Sequence, residues 1–217
     1  MIEHVYRRAG AARSVSAVIV ATDDERIYRT VVGFGGVARM TSNGHQSGTD
    51  RLAEVAAGLS CELIVNVQGD EPLIEPALID EAVAPFTTDP SLMMSTLRTR
   101  IEGTADLNNP NVTKVVVDRD GFALYFSRAP IPFAREASPA AAAWRHVGLY
   151  VYTRECLLRI AGLPPTALEL SEGLEQLRPL EHGIRIKVLE TASSSIGVDT
   201  PDDLERVRRL FPAEAHP

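Results

Sequence analysis

The chain has 217 residues, 45% of them hydrophobic and 24% charged, which suits a soluble α/β domain with a sizeable buried core. A formal net charge of −7 excludes the broad basic face of a general nucleic-acid binder, though not a small phosphorylated ligand held locally. No apolar run nears the roughly 18 residues of a membrane span, and the start, Met1 to Arg8, lacks the apolar core of a secretory leader. Two cysteines, Cys61 and Cys156, are too few for a disulfide framework. Each sits beside apolar residues and reads as a buried thiol in a reducing cytoplasm.

In chain order, Ile2, Val5, Tyr6 and Ala9 recur at helical spacing, but this first helix has no capping side chain before it. Ala17 to Ala21 reads as a buried parallel strand. Thr22-Asp23-Asp24-Glu25 then caps a helix that ends near Gly33. Val37 to Met40 is a brief strand, followed by a polar loop and a helix from Leu52 to Leu59. Leu63 to Val67 is the clearest strand; it breaks at Gln68-Gly69-Asp70-Glu71-Pro72, and Pro76 to Phe86 reads as a helix. Leu92 to Leu97 and Val112 to Val117 are further strands. Asp118 to Gly121 is a hairpin turn into a strand from Ala123 to Phe126.

Residues 129 to 144, rich in Pro and Ala, read as an excursion from the sheet, with Val147 to Tyr152 as the returning strand. A helix around 168–178 carries Leu170, Leu174 and Leu177 on one face, and Ile184 to Val188 alternates as a half-exposed strand should. Thr200-Pro201-Asp202-Asp203 is a cap, a proline at the first helical position and first-turn acids. The alternation predicts a single domain with a doubly wound, mostly parallel sheet carrying an antiparallel excursion.

Ligands of such sheets bind beyond the carboxyl ends of the strands. Asp70 follows the strongest strand, and Asp199 follows the short Ile196-Gly197-Val198 run, so the two carboxylates are candidates for a Mg²⁺ site. The alternative is that Asp70 stabilises a turn and Asp199 begins a cap. The stretch His45-Gln46-Ser47-Gly48-Thr49-Asp50-Arg51 could present amides and hydroxyls to an anion or a ribose. It could equally be a helix cap, with Arg51 solvated. Arg128 could grip a substrate carboxylate in a two-pronged contact, or be solvated; His146 on an alternating strand is by itself a structural histidine.

Several runs resemble one family, in order and at its spacing: HQSGTDRLAEV (45–55), IVNVQGDEPLI (64–74), NPNVTKVVVDRDGFALYFSRAPIP (109–132), RHVGLYVY (145–152), LEQLR (174–178) and GVDTPDDLERVR (197–208). These resemble the CMP-Kdo synthetases. QGDEP alone marks a broader set of nucleotidyltransferases, whereas YFSRAPIP, HVGLY and GVDTPDDL together are much more specific. The resemblance implies a Rossmann-like nucleotidyltransferase fold, usually a homodimer, that joins CTP to the acid sugar Kdo in lipopolysaccharide synthesis with Mg²⁺. It implies that Asp70 and Asp199 are the metal-binding acids at the catalytic centre. Gln46, Ser47, Gly48, Arg51 and Gln68 then fall by the nucleotide, and Arg128, His146, Tyr150, Glu175 and Gln176 by the sugar acid.

The resemblance also implies a first strand and a cationic phosphate loop ahead of the helix at Met1, so the chain is expected to be N-terminally incomplete and poor at turning over CTP. Pro179 departs from the pattern and is expected to end or kink the helix that carries LEQLR. Two rival readings remain at this stage. One is a cytidylyltransferase for another acid sugar, such as a sialic acid; the other is a non-catalytic nucleotide- or sugar-binding paralogue.

Overall fold

The structure is a computed structural model that describes residues 1–45, 47–135, 142–193, 197–198 and 200–210. Gln46, Ile196 and Asp199 therefore lie outside the described residues. In chain order the elements are α1 (Ile2–Gly10), β1 (Val20–Thr22), α2 (Glu25–Gly33), β2 (Ala38–Met40), α3 (Gly48–Ala57), β3 (Leu63–Asn66) and α4 (Pro76–Val83). There follow β4 (Met94–Arg100), α5 (Thr104–Asn108), β5 (Lys114–Val117), β6 (Ala123–Ser127), β7 (Trp144–Thr153) and α6 (Arg154–Ala161). The chain continues through α7 (Ala167–Glu172), α8 (Leu177–Glu181), β8 (Lys187–Glu190) and α9 (Pro201–Leu210).

The expected α/β alternation is present, and strand direction explains the sheet. β3 and β4 both pair antiparallel with β7, β4 pairs parallel with β8, and β5 pairs antiparallel with both β7 and β6. Thus β3, β4, β5 and β8 share one direction, while β6 and β7 run against it. The antiparallel excursion is not peripheral: β7 is inserted in the middle of the sheet, so its ladders are antiparallel although most of its strands are codirectional. β1 and β2 form a separate parallel pair.

Two apolar layers sandwich the large sheet. On one face Met94, Phe126, Tyr150 and Tyr152 pack with Ala53, Ala56, Cys156, Leu157 and Ile160 from α3 and α6. On the other, Leu97, Val147, Leu149 and Val151 pack with Ala9, Leu78, Ile79 and Ala82 from α1 and α4. The alternation of β7 side chains between these layers is the strand period expressed as a buried core.

Several boundaries differ from the sequence expectation. The strand expected at 17–21 forms its ladder only at Val20–Thr22, where β2 lies in register beside it. The helix expected from Leu52 begins at Gly48, because Ser47 caps it by accepting the Asp50 amide at 3.1 Å. α6 has a cap, Thr153, and an apolar stripe at Cys156, Leu157 and Ile160, a helical signal that the sequence reading passed over. Cys156 is buried as expected, whereas Cys61 is only half-buried.

The helix expected at 168–178 is two helices. Gly173 breaks it at φ 60°, a left-handed backbone that an L side chain adopts at a cost, and Leu170 is 73% exposed rather than sharing a buried face with Leu174 and Leu177. Pro179 does not end a helix; it lies in the first turn of α8, where no intrahelical amide bond is lost. Gly173→Ala should cost about 1 kcal/mol, read as a lower urea midpoint. The penalty is in the backbone, since the added methyl carbon would meet nothing closer than Arg128 Nη2 at 4.0 Å.

Candidate active site

The turn after β3 places Gln68, Gly69 and Asp70 beyond the carboxyl end of a strand, as the open-sheet rule requires. The Glu71 amide donates to the Gln68 carbonyl at 3.3 Å, and the Val198 amide donates to the Asp70 carbonyl at 2.9 Å. The residue immediately before Asp199 is thus hydrogen-bonded to Asp70, although Asp199 itself is outside the described residues. Ser193 adds a second link across this end of the sheet, its hydroxyl donating to Glu75 Oε2 at 3.0 Å. Gln68 and Glu71 line a crevice with Ile74, just before α4, and Val147, Gly148 and Leu149 of β7. Among the described residues, no group of three or more His, Cys, Asp or Glu forms a metal cage.

The second cleft lies on the other face of β7 and is lined by Thr49, Met94, Tyr150, Tyr152, Glu175, Gln176 and Pro179. It brings Gly48, Thr49 and Asp50 against the Leu174–Arg178 run. The Glu175 carboxylate accepts the Gly48 amide at 3.2 Å, the Thr49 amide at 3.2 Å and the Thr49 hydroxyl at 2.8 Å. These donors are at the start of α3, where unpaired amides and the helix dipole favour a negative charge. The sequence alternatives for this stretch resolve as both: Ser47 is a cap, and the amides do hold an anion, which is the protein's own Glu175. Arg51 is not solvated but pinned to Thr41 Oγ1 at 2.6 Å and Asp23 Oδ2 at 2.9 Å, away from those amides.

Tyr150 is buried, and its ring meets those of His146 at 5.2 Å and Tyr152 at 5.9 Å. Burial raises the phenol pKa of Tyr150 well above its ordinary value, so it stays a neutral hydrogen-bonding group. His146 also packs edge-on to Phe126, at 5.0 Å, and its Nε2 lies 2.9 Å from Thr96 Oγ1. The Thr96 hydroxyl also lies within hydrogen-bond reach of the Leu149 carbonyl at 2.8 Å and the Val147 carbonyl at 3.2 Å. Burial, helped by Arg145, lowers the His146 pKa to about 3, which leaves it neutral at physiological pH.

This has a consequence for acid stability. The folded pKa lies below the unfolded value of about 6.5, so the unfolded chain takes up the proton first as pH falls. Stability is fully present above pH 6.5 and declines toward pH 3, by up to about 1.4 kcal/mol per pH unit. Urea midpoints between pH 7.5 and 5 should therefore fall for the native chain. They should stay nearly level for His146→Gln.

Arg128 does not point an open fork. Its Nε donates to the Glu172 carbonyl at 2.7 Å, Nη1 to Pro110 O at 3.0 Å and Nη2 to Gly173 O at 3.3 Å. The Glu172 carboxylate accepts from Ser127 Oγ at 2.7 Å, the Arg128 amide at 2.9 Å and Tyr125 Oη at 3.2 Å. Burial pushes the Glu172 pKa up, but these bonds and the Arg128 charge outweigh it, and the net shift is downward. Arg128 thereby holds the turn that delivers Glu175 and Gln176. Sequence reasoning missed Glu172, Lys114 and Arg178, all of which act through partners more than ten residues away or through backbone carbonyls, except for Arg178's contact with Glu169 nine residues before it.

A sequence model described as "Cytidylyltransferase" matches residues 1–186. The 3-deoxy-manno-octulosonate cytidylyltransferase of Geobacter sulfurreducens is 58% identical, over 95% of this chain and 87% of that protein. The enzyme of the same name from Pelobacter propionicus is 57% identical over 98% and 88%. The chain belongs to the CMP-Kdo synthetase family of cytidylyltransferases. A solved structure described as CMP:2-keto-3-deoxy-manno-octonic acid synthetase complexed with CTP is 44% identical and superposes with a TM-score of 0.91, over 96% of this chain and 86% of that one. The Rossmann-like nucleotidyltransferase fold expected for the CMP-Kdo synthetases is the one observed. A Bacillus anthracis structure described as a putative glucose-1-phosphate thymidylyltransferase is 16% identical with a TM-score of 0.63, a likeness of fold alone.

Proposed function

We propose that this chain activates Kdo with CTP, giving CMP-Kdo and pyrophosphate for lipopolysaccharide synthesis. The observation that carries this reading is the Glu175 carboxylate seated on the Gly48 and Thr49 amides, because it joins the nucleotide-side stretch to the sugar-side segment 126 residues away. The family relationship supports the choice of substrates. The anomeric 2-hydroxyl of Kdo attacks the α-phosphorus of CTP in line, pyrophosphate departs, and no protein nucleophile is required.

The roles draw on both clefts. Gln46, Ser47, Gly48 and Arg51, around the start of α3, and Gln68, from the crevice on the other face of β7, would serve the nucleotide. Tyr150, Gln176 and neutral His146 supply hydrogen bonds to the sugar acid, while Arg128 and Glu175 set the wall that carries them. Asp70 and Asp199 would hold Mg²⁺. Hard carboxylate oxygens at a strand end suit that ion, and the Val198–Asp70 bond supports pairing the two acids. Bound there, Mg²⁺ would offset charge on the phosphates. No helix among the described residues is long and apolar enough to cross a membrane, which accords with a cytoplasmic site of action. A homodimer is part of the same proposal: Leu124 on the edge strand β6 and Phe133 are 61% and 88% exposed, and a second copy would cover such side chains.

Pyrophosphate release from CTP, measured with Kdo, a sialic acid and no sugar in the presence and absence of Mg²⁺, tests the reading. Release is expected only with Kdo and Mg²⁺. Equal release with the sialic acid would overturn the substrate assignment, and no release at all would favour a binding paralogue.

A further inference from the structure

Arg178 is 5% exposed, yet it belongs to no apolar layer. Its Nε lies 2.9 and 3.0 Å from the two Glu169 carboxylate oxygens, and its Nη2 lies 2.7 Å from Oε1. Its Nη1 donates to Asp50 Oδ1 at 3.1 Å. Glu169, 7% exposed, also accepts the Thr166 amide at 3.1 Å and so is tied to the start of α7. This is a cluster of a buried base, a buried acid and the half-buried Asp50 that draws together α3, α7 and α8.

Such a cluster is a poor way to gain stability. Desolvating three charges offsets most of their attraction, and apolar side chains of similar volume often do as well. What the cluster does supply is registration. Asp50 follows Gly48 and Thr49, whose amides hold Glu175, and Arg178 follows Glu175 and Gln176 by two or three residues. The contacts therefore close a ring: Thr49 to Glu175 on one side, Asp50 to Arg178 on the other. Arg128 anchors the far end of the same turn at Glu172 and Gly173.

We infer that Arg178 is a positioning residue of the active site: by joining Asp50 to Glu169 it fixes Glu175 and Gln176 against the start of α3, facing Tyr150. The role assigned to the cleft rests on the acid-sugar reading above; the registration itself does not. A planar fork is needed for it, because one group must grip a carboxylate bidentately and still reach a second acid. A lysine keeps the charge and loses that geometry.

Arg178→Lys is the first variant. Misplacing the pocket wall should raise the KM for Kdo about tenfold, with a smaller change in the KM for CTP, when rates are normalised to folded protein. Hydrogen exchange at the Gly48 and Thr49 amides should accelerate together with that of residues 174–177. The charge-balanced pair Glu169→Gln/Arg178→Met keeps the volume and removes the buried acid together with its base; Asp50, which stays, is only half-buried and can turn to water. The pair is expected to fold and to show the same raised KM and faster exchange. The inference is overturned if Arg178→Lys lowers only the folded fraction, or if the charge-balanced pair has native KM and native exchange at Gly48 and Thr49. Absence of any Kdo-dependent release by the native chain would sink the functional reading alone, and the exchange data would still decide the role of Arg178.

Discussion

Asp70→Asn should lower Kdo-dependent pyrophosphate release by about 10³-fold, the scale expected when charge stabilisation at a phosphoryl centre is lost. The amide keeps the shape of the side chain but gives up the negative charge that would hold Mg²⁺. The bond from the Val198 amide to the Asp70 backbone carbonyl is left in place by the substitution. The check is steady-state release at saturating CTP and Kdo over a Mg²⁺ series, with a melting curve recorded beside it. A variant within tenfold of the native rate would remove Asp70 from the catalytic centre. Asp199→Asn should behave in the same way if the two acids share one ion.

Lys114→Met is expected to destabilise the fold by about 3 kcal/mol. Lys114 has 0% exposure, and its Nζ donates to the carbonyls of Asn109 at 3.0 Å, Val112 at 2.6 Å and Arg128 at 2.5 Å. Burial lowers its pKa, with nearby Glu172 opposing that shift. Methionine fills much of the volume and removes the cost of burying a cation. It cannot satisfy three backbone carbonyls, however, and they have no apolar substitute, so the unmade bonds decide the sign. Urea unfolding measures the loss, and a change below 1 kcal/mol would mean that water replaces Nζ. Because Nζ holds the Arg128 carbonyl, the turn at Gly173 should loosen as well, visible as faster exchange at Leu174.

In the proposed reading the sugar-side wall is a product of backbone placement more than of exposed charge. Arg128 spends its guanidinium on three carbonyls, and Glu175 spends its carboxylate on the start of α3. The groups to which the proposed reading gives the sugar acid are neutral: Tyr150, Gln176 and His146. Gln176 lies on the segment that the two arginines clamp, Arg128 at one end and Arg178 at the other, whereas Tyr150 and His146 are held by β7.

The sequence by itself determined the family, through runs such as YFSRAPIP and GVDTPDDL, and the α/β alternation, because strand and helix periods are local. It also located the turn after β3 with Asp70, and the cap that begins α9: the Thr200 hydroxyl and the Asp203 amide and carboxylate bond reciprocally, as the spacing predicts. Tertiary structure alone decided that β7 lies in the middle of the sheet, since pairing partners are chosen across the chain and not along it. It alone turned the expected helix at 168–178 into two, because the left-handed turn at Gly173 is held by contacts from Arg128 and Glu172. And it alone showed that the amides opening α3 are held by Glu175. A hydrogen bond between residues 126 apart leaves no periodicity in the sequence; only the packing of α3 against the segment before α8 brings donor and acceptor together.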